Sequence, residues 1–316
     1  MVLNYNKMVI LRIAKYYYLD GLSQQEIGER ENIHRSQISR ILKLARELGY
    51  VQIRISTPDN HTADSLARQV EHKLELREVF VAPSLSPKAD QNESVYFFAA
   101  RHLEEILPHS RNIGIGIGKT LYNVAAQLSA QKIDDRHDFY SIVGYSGTDN
   151  PNLQASVILD NFARPFNGNC HYNNYPICVA RSMMSQLNLD RITELKNAFQ
   201  TLDTVVLSIG GPINIDYPYL DEFSIFGKDI DTAHALARPH GNLLGHVFYD
   251  KKEYLKLPGD YMMTSMTLKQ LEQTPKVICI AHGKHKVDAI ISAARQNYIK
   301  SLITDEATAQ SILQKI

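Results

Sequence analysis

Between residues 7 and 19 the apolar side chains Ile10, Ile13, Ala14 and Tyr17 recur at the i, i+3, i+4, i+7 spacing of a helix that buries one face. Asp20-Gly21 breaks the pattern. Ser23-Gln24-Gln25-Glu26 then has the sequence of a capping box, in which the serine hydroxyl accepts from the third amide and the glutamate reaches back to the cap amide. This predicts a short second helix to about Glu31, a turn at Glu31-Asn32-Ile33, and a third helix over 35–48 with Ile38, Ile41, Leu42, Ala45 and Leu48 on one stripe. Gly49 stands where a left-handed C-terminal cap belongs. Val51, Ile53 and Ile55 then alternate with Gln52 and Arg54, a period-2 strand able to pair as a wing. Thr57-Pro58-Asp59-Asn60-His61 is polar and aperiodic and reads as a hinge, after which Ala63, Leu66, Val70 and Leu74 open a further helix.

Downstream, strand-like runs at 79–82, 113–117, 140–143, 204–209, 243–248, 277–281 and 301–304 are separated by helical stretches such as 91–107, 119–131, 185–198 and 284–296. The alternation predicts βαβ units and a mainly parallel sheet covered by helices on both faces. Such sheets bind ligands outside the carboxyl ends of their strands. The expected organisation is a small domain over 1–56 and a large α/β domain over 57–316, and 316 residues suffice for two cores.

Composition adds mainly exclusions. Hydrophobic residues at 44% and charged residues at 22% are the balance of a globular protein. No run nears the roughly 18 apolar residues of a membrane helix, so no membrane partner is expected. Lys7, Arg12 and Lys15 interrupt the N-terminal apolar positions, which is unlike a signal peptide, and a cytoplasmic location is expected. Cys170, Cys178 and Cys279 form no CxxC pair and read as free thiols. The histidines 171, 234, 240, 246, 282 and 285 show no metal-ligand spacing, so no metal is expected.

Net charge is zero, yet the segment 35–46 holds Arg35, Arg40, Lys43 and Arg46 and no acid. A basic second helix after a short turn is the layout in which that helix enters the major groove of double-stranded DNA. At about 100° per residue, an inward face of Ile38, Ile41, Leu42 and Ala45 leaves Ser36, Ser39, Arg40 and Lys43 pointing outward. Arg35, Ser36, Gln37 and Arg40, with Ser39 beside them, are expected near bases or adjacent phosphates, and Lys43 and Arg46 at phosphates.

In the large domain, Asn112-Ile-Gly-Ile-Gly-Ile-Gly118-Lys119-Thr120 runs from strand into helix. Its first glycine is one residue too close to Gly118-Lys119-Thr120 for a P-loop, and its evenly spaced glycines do not make a dinucleotide fingerprint. Neither an ATPase nor a dehydrogenase follows, and no cofactor is expected. Glycines at a strand end do expose amides to an anion, or else allow close packing of helix on strand. Similar loops follow other strands at 143–148, 208–211 and 282–286. Lys286 is expected in the first turn of a helix, where the dipole disfavours an ammonium unless a bound anion compensates it; an ordinary surface lysine is the alternative.

The chain resembles the SorC (DeoR/CggR-like) family of sugar-responsive bacterial regulators over nearly its whole length. The residues that carry the resemblance are 14–18 and 21–27, then 38–51, and above all Ala281-His282-Gly283 through 286–290 to 298–309; the stretch 145–180 matches loosely. The resemblance implies a winged helix-turn-helix followed by a Rossmann-like, sugar-phosphate-isomerase-like effector-binding domain. It also implies homo-oligomers, often tetramers, and a sugar, polyol or sugar-phosphate effector. By position it places effector contacts at Gly116, Gly118, Lys119 and Thr120, at Gly144, Ser146 and Gly147, and at Gly283 and Lys286. Three positions depart from the family pattern: His34 replaces a Ser helix cap and predicts a weaker helix start, His282 replaces a Gly, and Asn242 replaces an Asp that grips sugar hydroxyls. The expectation is a non-enzymatic transcriptional regulator of a carbohydrate operon. The alternatives are a DNA-tethered isomerase or deaminase and a DNA-binding protein that takes no ligand.

Overall fold

The computed structural model describes residues 5–51, 61–83, 91–131, 136–145, 150–211, 240–249 and 261–316. The chain separates into two compact units, Met1–Thr57 and Pro58–Ile316.

The first unit holds α1 (Lys7–Tyr18), α2 (Gln24–Glu31) and α3 (Arg35–Glu47). Their inward faces close one core of Ile10, Ile13, Ala14, Ile27, Ile38, Ile41, Leu42 and Ala45. Both halves of the capping box form: Ser23 Oγ accepts from the Glu26 amide at 3.2 Å, and a Glu26 carboxylate oxygen accepts from the Ser23 amide at 2.8 Å. Asn32 turns the chain between α2 and α3 in the left-handed region at φ 54°. At the far end Gly49 takes φ 73°, its amide donates to Arg46 O and the Tyr50 amide to Ala45 O, which is a Schellman closure. Of the expected wing only Val51 is described; 52–55 and the hinge residues 57–60 lie outside the described residues.

The second unit is built on a parallel seven-stranded sheet. Its strands are β1 (Glu78–Ala82), β2 (Asn112–Ile115), β3 (Asp138–Ser141), β4 (Asn169–His171), β6 (Thr204–Leu207), β10 (Lys276–Ile280) and β11 (Ser301–Asp305). Their order is β1-β11-β10-β6-β2-β3-β4. Two small antiparallel pairs join β5 (Cys178–Ala180) to β9 (Tyr261–Met263), and β7 (Gly241–Leu243) to β8 (His246–Phe248).

Alternate residues of each central strand go to opposite cores, as the pleat dictates. Val205, Leu207, Val277, Cys279 and Leu302 face α4 (His61–Leu74), α9 (Leu268–Gln273), α10 (Val287–Arg295) and α11 (Glu306–Lys315). Val206, Ile278, Ile280 and Ile303 face α5 (Gln91–Ile106), α6 (Lys119–Ala125) and α7 (Ala155–Ala163). A further helix, α8 (Leu189–Ala198), sends Leu195 to the first of these cores.

The sequence expectations need four corrections here. The run 243–248 is no single strand but the β7–β8 hairpin, turned by Leu244 and Gly245 at φ 54° and 85°. The helix expected over 185–198 divides into a 3-10 turn, Arg181–Gln186, and α8. The one over 119–131 ends at Ala125. The one over 284–296 opens with a 3-10 turn, Lys284–Lys286, so Lys286 is the N-cap of α10 rather than a residue of its first turn. It still lies at the positive end of that helix.

Candidate functional site

In the first unit, α3 carries its polar residues outward because its apolar stripe leaves no alternative. Ile38, Ile41 and Ala45 are fully buried, whereas Arg35, Ser36, Ser39, Arg40, Lys43 and Arg46 are exposed and Gln37 is half-buried. Lys43 Nζ lies 3.7 Å from a carboxylate oxygen of Glu47. Arg35, Arg40 and Arg46 have no acidic partner among the described residues. Three guanidinium groups therefore stand ready for an anionic partner at no cost in broken ion pairs. His34 does cap the helix start: its Nδ1 accepts from the Ser36 amide at 3.3 Å and lies 2.8 Å from Ser36 Oγ.

The α2–α3 angle rests on a residue that sequence reading passed over. A Cβ on Gly28 would sit 2.7 Å from the Ile33 carbonyl oxygen, so only glycine lets the turn and the start of α3 come this close. Arg12 of α1 holds Glu31 at the end of α2 through both carboxylate oxygens, at 2.9 and 2.5 Å.

In the second unit the strand order reverses between β2 and β6: from β2 the chain proceeds outward through β3 and β4, then returns on the other side through β6, β10 and β11. Such a reversal of strand order marks the place where doubly wound sheets bind ligands, outside the carboxyl ends of β2 and β6. Gly116 and Gly118 follow β2, and Gly118 takes φ 126° to cap α6. Gly116 is buried with its amide donated to Val206 O at 2.9 Å, Thr120 is buried, and Lys119 is exposed. Ser208, after β6, donates its hydroxyl to Ile117 O at 3.2 Å and ties the two loops together.

Gly210 exchanges backbone hydrogen bonds with Asn242 of β7, at 2.9 and 3.1 Å, and Leu244 of the hairpin tip approaches Gly116. The β7–β8 hairpin thus packs on these loops. Asn242 Oδ1 accepts from the Gly245 amide at 3.1 Å, so the amide oxygen shapes the hairpin turn. The turn at Gly283 reaches the same place, since a Cβ on Gly211 would lie 2.9 Å from the His285 carbonyl oxygen. Thr308 of α11, which sequence reading did not single out, accepts from the Gly283 amide at 2.7 Å.

Lys286 is half-buried there, its amide donated to Gly283 O at 2.9 Å and its ammonium without a hydrogen bond or ion pair among the described residues. Burial pushes its ammonium below the usual lysine range, with the Cys279 thiol opposing. A desolvated, uncompensated cation at a helix N-terminus is a place where an anion gains more than at the surface.

Gly144 stands apart from this group. A Cβ there would meet Thr264 Oγ1 at 2.4 Å, Tyr175 O at 2.6 Å and Ile177 Cα at 2.8 Å, so packing against neighbouring chain accounts for the glycine. Ser146 and Gly147 lie outside the described residues.

A basic helix-turn-helix in one unit and a doubly wound sheet with loops gathered at its switch point in the other are the architecture of an effector-responsive DNA-binding protein. Residues 59–314 match the Sugar-bind family, a sugar-binding domain. The chain belongs to this family, that of the SorC- and DeoR-type sugar-responsive regulators. It is 26% identical to the deoxyribonucleoside regulator of Bacillus subtilis, over 97% of each chain. It is 24% identical to the transcriptional regulator LsrR of Escherichia coli K12, over 96% of this chain and 94% of that one. The full-length sorbitol operon regulator SorC of Klebsiella pneumoniae has the same fold, at TM-score 0.75 and 22% identity, over 98% of this chain and 100% of that one. Among the described residues no helix is long and apolar enough to cross a membrane.

Proposed function

We propose that this protein is a sequence-specific DNA-binding regulator of a carbohydrate operon, cytoplasmic and self-associating as a dimer or tetramer. It acts by binding, without turnover, and its control comes from a phosphorylated sugar or polyol at the switch point. The observation that carries the reading is the set of guanidinium groups of Arg35, Arg40 and Arg46, without acidic partners among the described residues, on a helix whose opposite face is buried. The names of its relatives, regulators of deoxyribonucleoside and sorbitol genes, support the same conclusion.

Arg35, Ser36, Ser39 and Arg40 are assigned to bases and nearby phosphates, with Gln37 at the margin, and Lys43 and Arg46 to phosphates alone. Lys286 is assigned to the effector's phosphate, with the amides and hydroxyls around Gly116, Gly118, Lys119, Thr120 and Gly283 beside it. Asn242, Ser146 and Gly147 complete the proposed set, and Gly144 serves as a packed wall. The effector shifts DNA affinity only to the extent that it prefers one arrangement of the protein over the other.

Thermal melting with matched pairs of sugars and sugar phosphates tests the effector half. At a hundred times its dissociation constant, a cognate sugar phosphate stabilises the second unit by about 2.7 kcal/mol. Its unphosphorylated parent does much less, and Lys286→Ala removes the difference. Equal stabilisation by both members of every pair contradicts the assignment of Lys286.

A further inference from the structure

We propose that the second unit carries another ligand site, at the sheet edge beyond β3, which takes a neutral polyhydroxylated ligand the size of a monosaccharide. The site is a cleft of about 470 Å³ between β3, β4, the segment that follows β4, and the outer face of α8. That volume lies in the range of small-molecule sites, about 300–1,000 Å³. None of its lining belongs to the switch-point loops.

The walls are aromatic and held in place. Tyr140 and His171 are register partners on adjacent strands, their rings stacked at 4.3 Å with 10° between planes. His171 Nε2 is fixed on Asp138 Oδ1 at 2.8 Å, and Asn169 Nδ2 donates to the same oxygen at 3.1 Å. The Tyr172 hydroxyl donates to Asp160 Oδ1 at 2.6 Å, which locks a ring that is 42% exposed. Tyr175 donates to the Asn188 carbonyl at 3.4 Å and ties its segment to the start of α8. Rigid ring faces of this kind suit the C–H faces of a sugar and cost little entropy on binding.

The polar groups choose the ligand's charge. Arg191 is matched by Glu194 at 3.3 Å, so the described residues lining the cleft include no arginine or lysine left uncompensated. Among the described residues a phosphate finds no free lysine or arginine there, in contrast to the surroundings of Lys286. The Tyr140 hydroxyl and the Asn174 amide have no hydrogen-bond partner among the described residues. With the Glu194 carboxylate they make a mixed set of donors and acceptors, which is what adjacent hydroxyl groups require. A nucleobase would also stack, but Tyr140 and His171 are stacked on each other and so do not hold a base between them.

The test is saturation-transfer NMR on the full chain with D-glucose, D-ribose and D-sorbitol, each alone, and with adenosine. The proposal expects transfer to the carbon-bound protons of at least one of the three neutral polyols. It expects Asn174→Ala and Glu194→Gln each to weaken that binding tenfold or more with an unchanged melting temperature, since both side chains are exposed. No transfer to any of the three, transfer to adenosine alone, or binding unchanged in both variants overturns it. DNA and sugar phosphates play no part in this experiment, so its failure leaves the switch-point reading standing.

Discussion

His34 caps the helix that carries the basic face: its Nδ1 accepts from the backbone amide of Ser36 at 3.3 Å, the task usually done by a serine or aspartate oxygen. His34→Ala leaves that amide without its partner and is expected to cost about 0.5–2 kcal/mol in the first unit, whereas His34→Ser or His34→Asp restores an acceptor and costs less. Denaturant midpoints of the three variants give the answer. Equal loss in all three contradicts a capping role.

Gly28 makes the opposite kind of prediction. Alanine is favoured over glycine by roughly 1 kcal/mol inside a helix, yet at this position the added methyl meets the Ile33 carbonyl at 2.7 Å. Overpacking against backbone costs about 1–3 kcal/mol and wins. Gly28→Ala is expected to destabilise the first unit and to lower DNA affinity by changing the angle between α2 and α3. Alanine substitution at Gly21, where a Cβ meets nothing within 4 Å but φ is 70°, is strained without displacing α3 and should spare affinity in the folded fraction.

The basic side chains of α3 separate by salt dependence. Arg40→Ala is expected to cost about 1–3 kcal/mol of operator affinity and to relax sequence choice, as loss of a base contact does. Arg46→Ala is expected to weaken all duplexes alike and to reduce the slope of log affinity against log salt by about 1. Lys43→Ala does the same to a lesser degree, because Lys43 already shares its charge with Glu47 at 3.7 Å. Anisotropy titrations at several salt concentrations distinguish the three.

Stability of the second unit should fall in weak acid through His246. This residue is half-buried, its Nε2 donates to Met266 O at 3.0 Å, and desolvation holds its pKa at about 4. A histidine in the unfolded chain has a pKa of about 6.5. Above that value neither state is charged and the native state carries no penalty. Between about 6.5 and 4 only the unfolded chain takes up the proton, so stability declines as pH falls, by roughly 3 kcal/mol in all. His246→Gln, which keeps an N–H donor but cannot titrate, flattens the profile. An unchanged slope in that variant assigns the acid loss elsewhere.

The first unit was legible because its signals are local. A capping box, a left-handed residue and three amphipathic stripes each act within one or two turns, and α1, α2 and α3 formed within a residue of the expected bounds. The central strands were legible for a related reason: a strand buried on both faces, such as Thr204–Leu207, is a continuous apolar run. What failed depended on neighbours. Leu243-Leu244 continues an apolar run, and nothing in a leucine announces that it will turn at φ 54°. Edge strand β4, Asn169–His171, has no buried alternation to read. Helix α7 is the exception: it buries Ala155, Ile158, Leu159, Phe162 and Ala163 at i, i+3, i+4, i+7, i+8 spacing, a local signal that sequence reading passed over. At the candidate site, Gly118 and Lys286 were visible from loop chemistry, whereas the supporting Ser208, Leu244 and Thr308 come together only through the strand order.

The most direct measurement is a fluorescence-anisotropy titration of the protein onto the DNA immediately upstream of its own gene, with and without a panel of sugar phosphates. The account predicts binding well above that to a random duplex, altered by at least one phosphorylated compound, with the alteration lost in Lys286→Ala. Binding no tighter than to random DNA, or operator binding that every phosphorylated sugar leaves untouched, would contradict it.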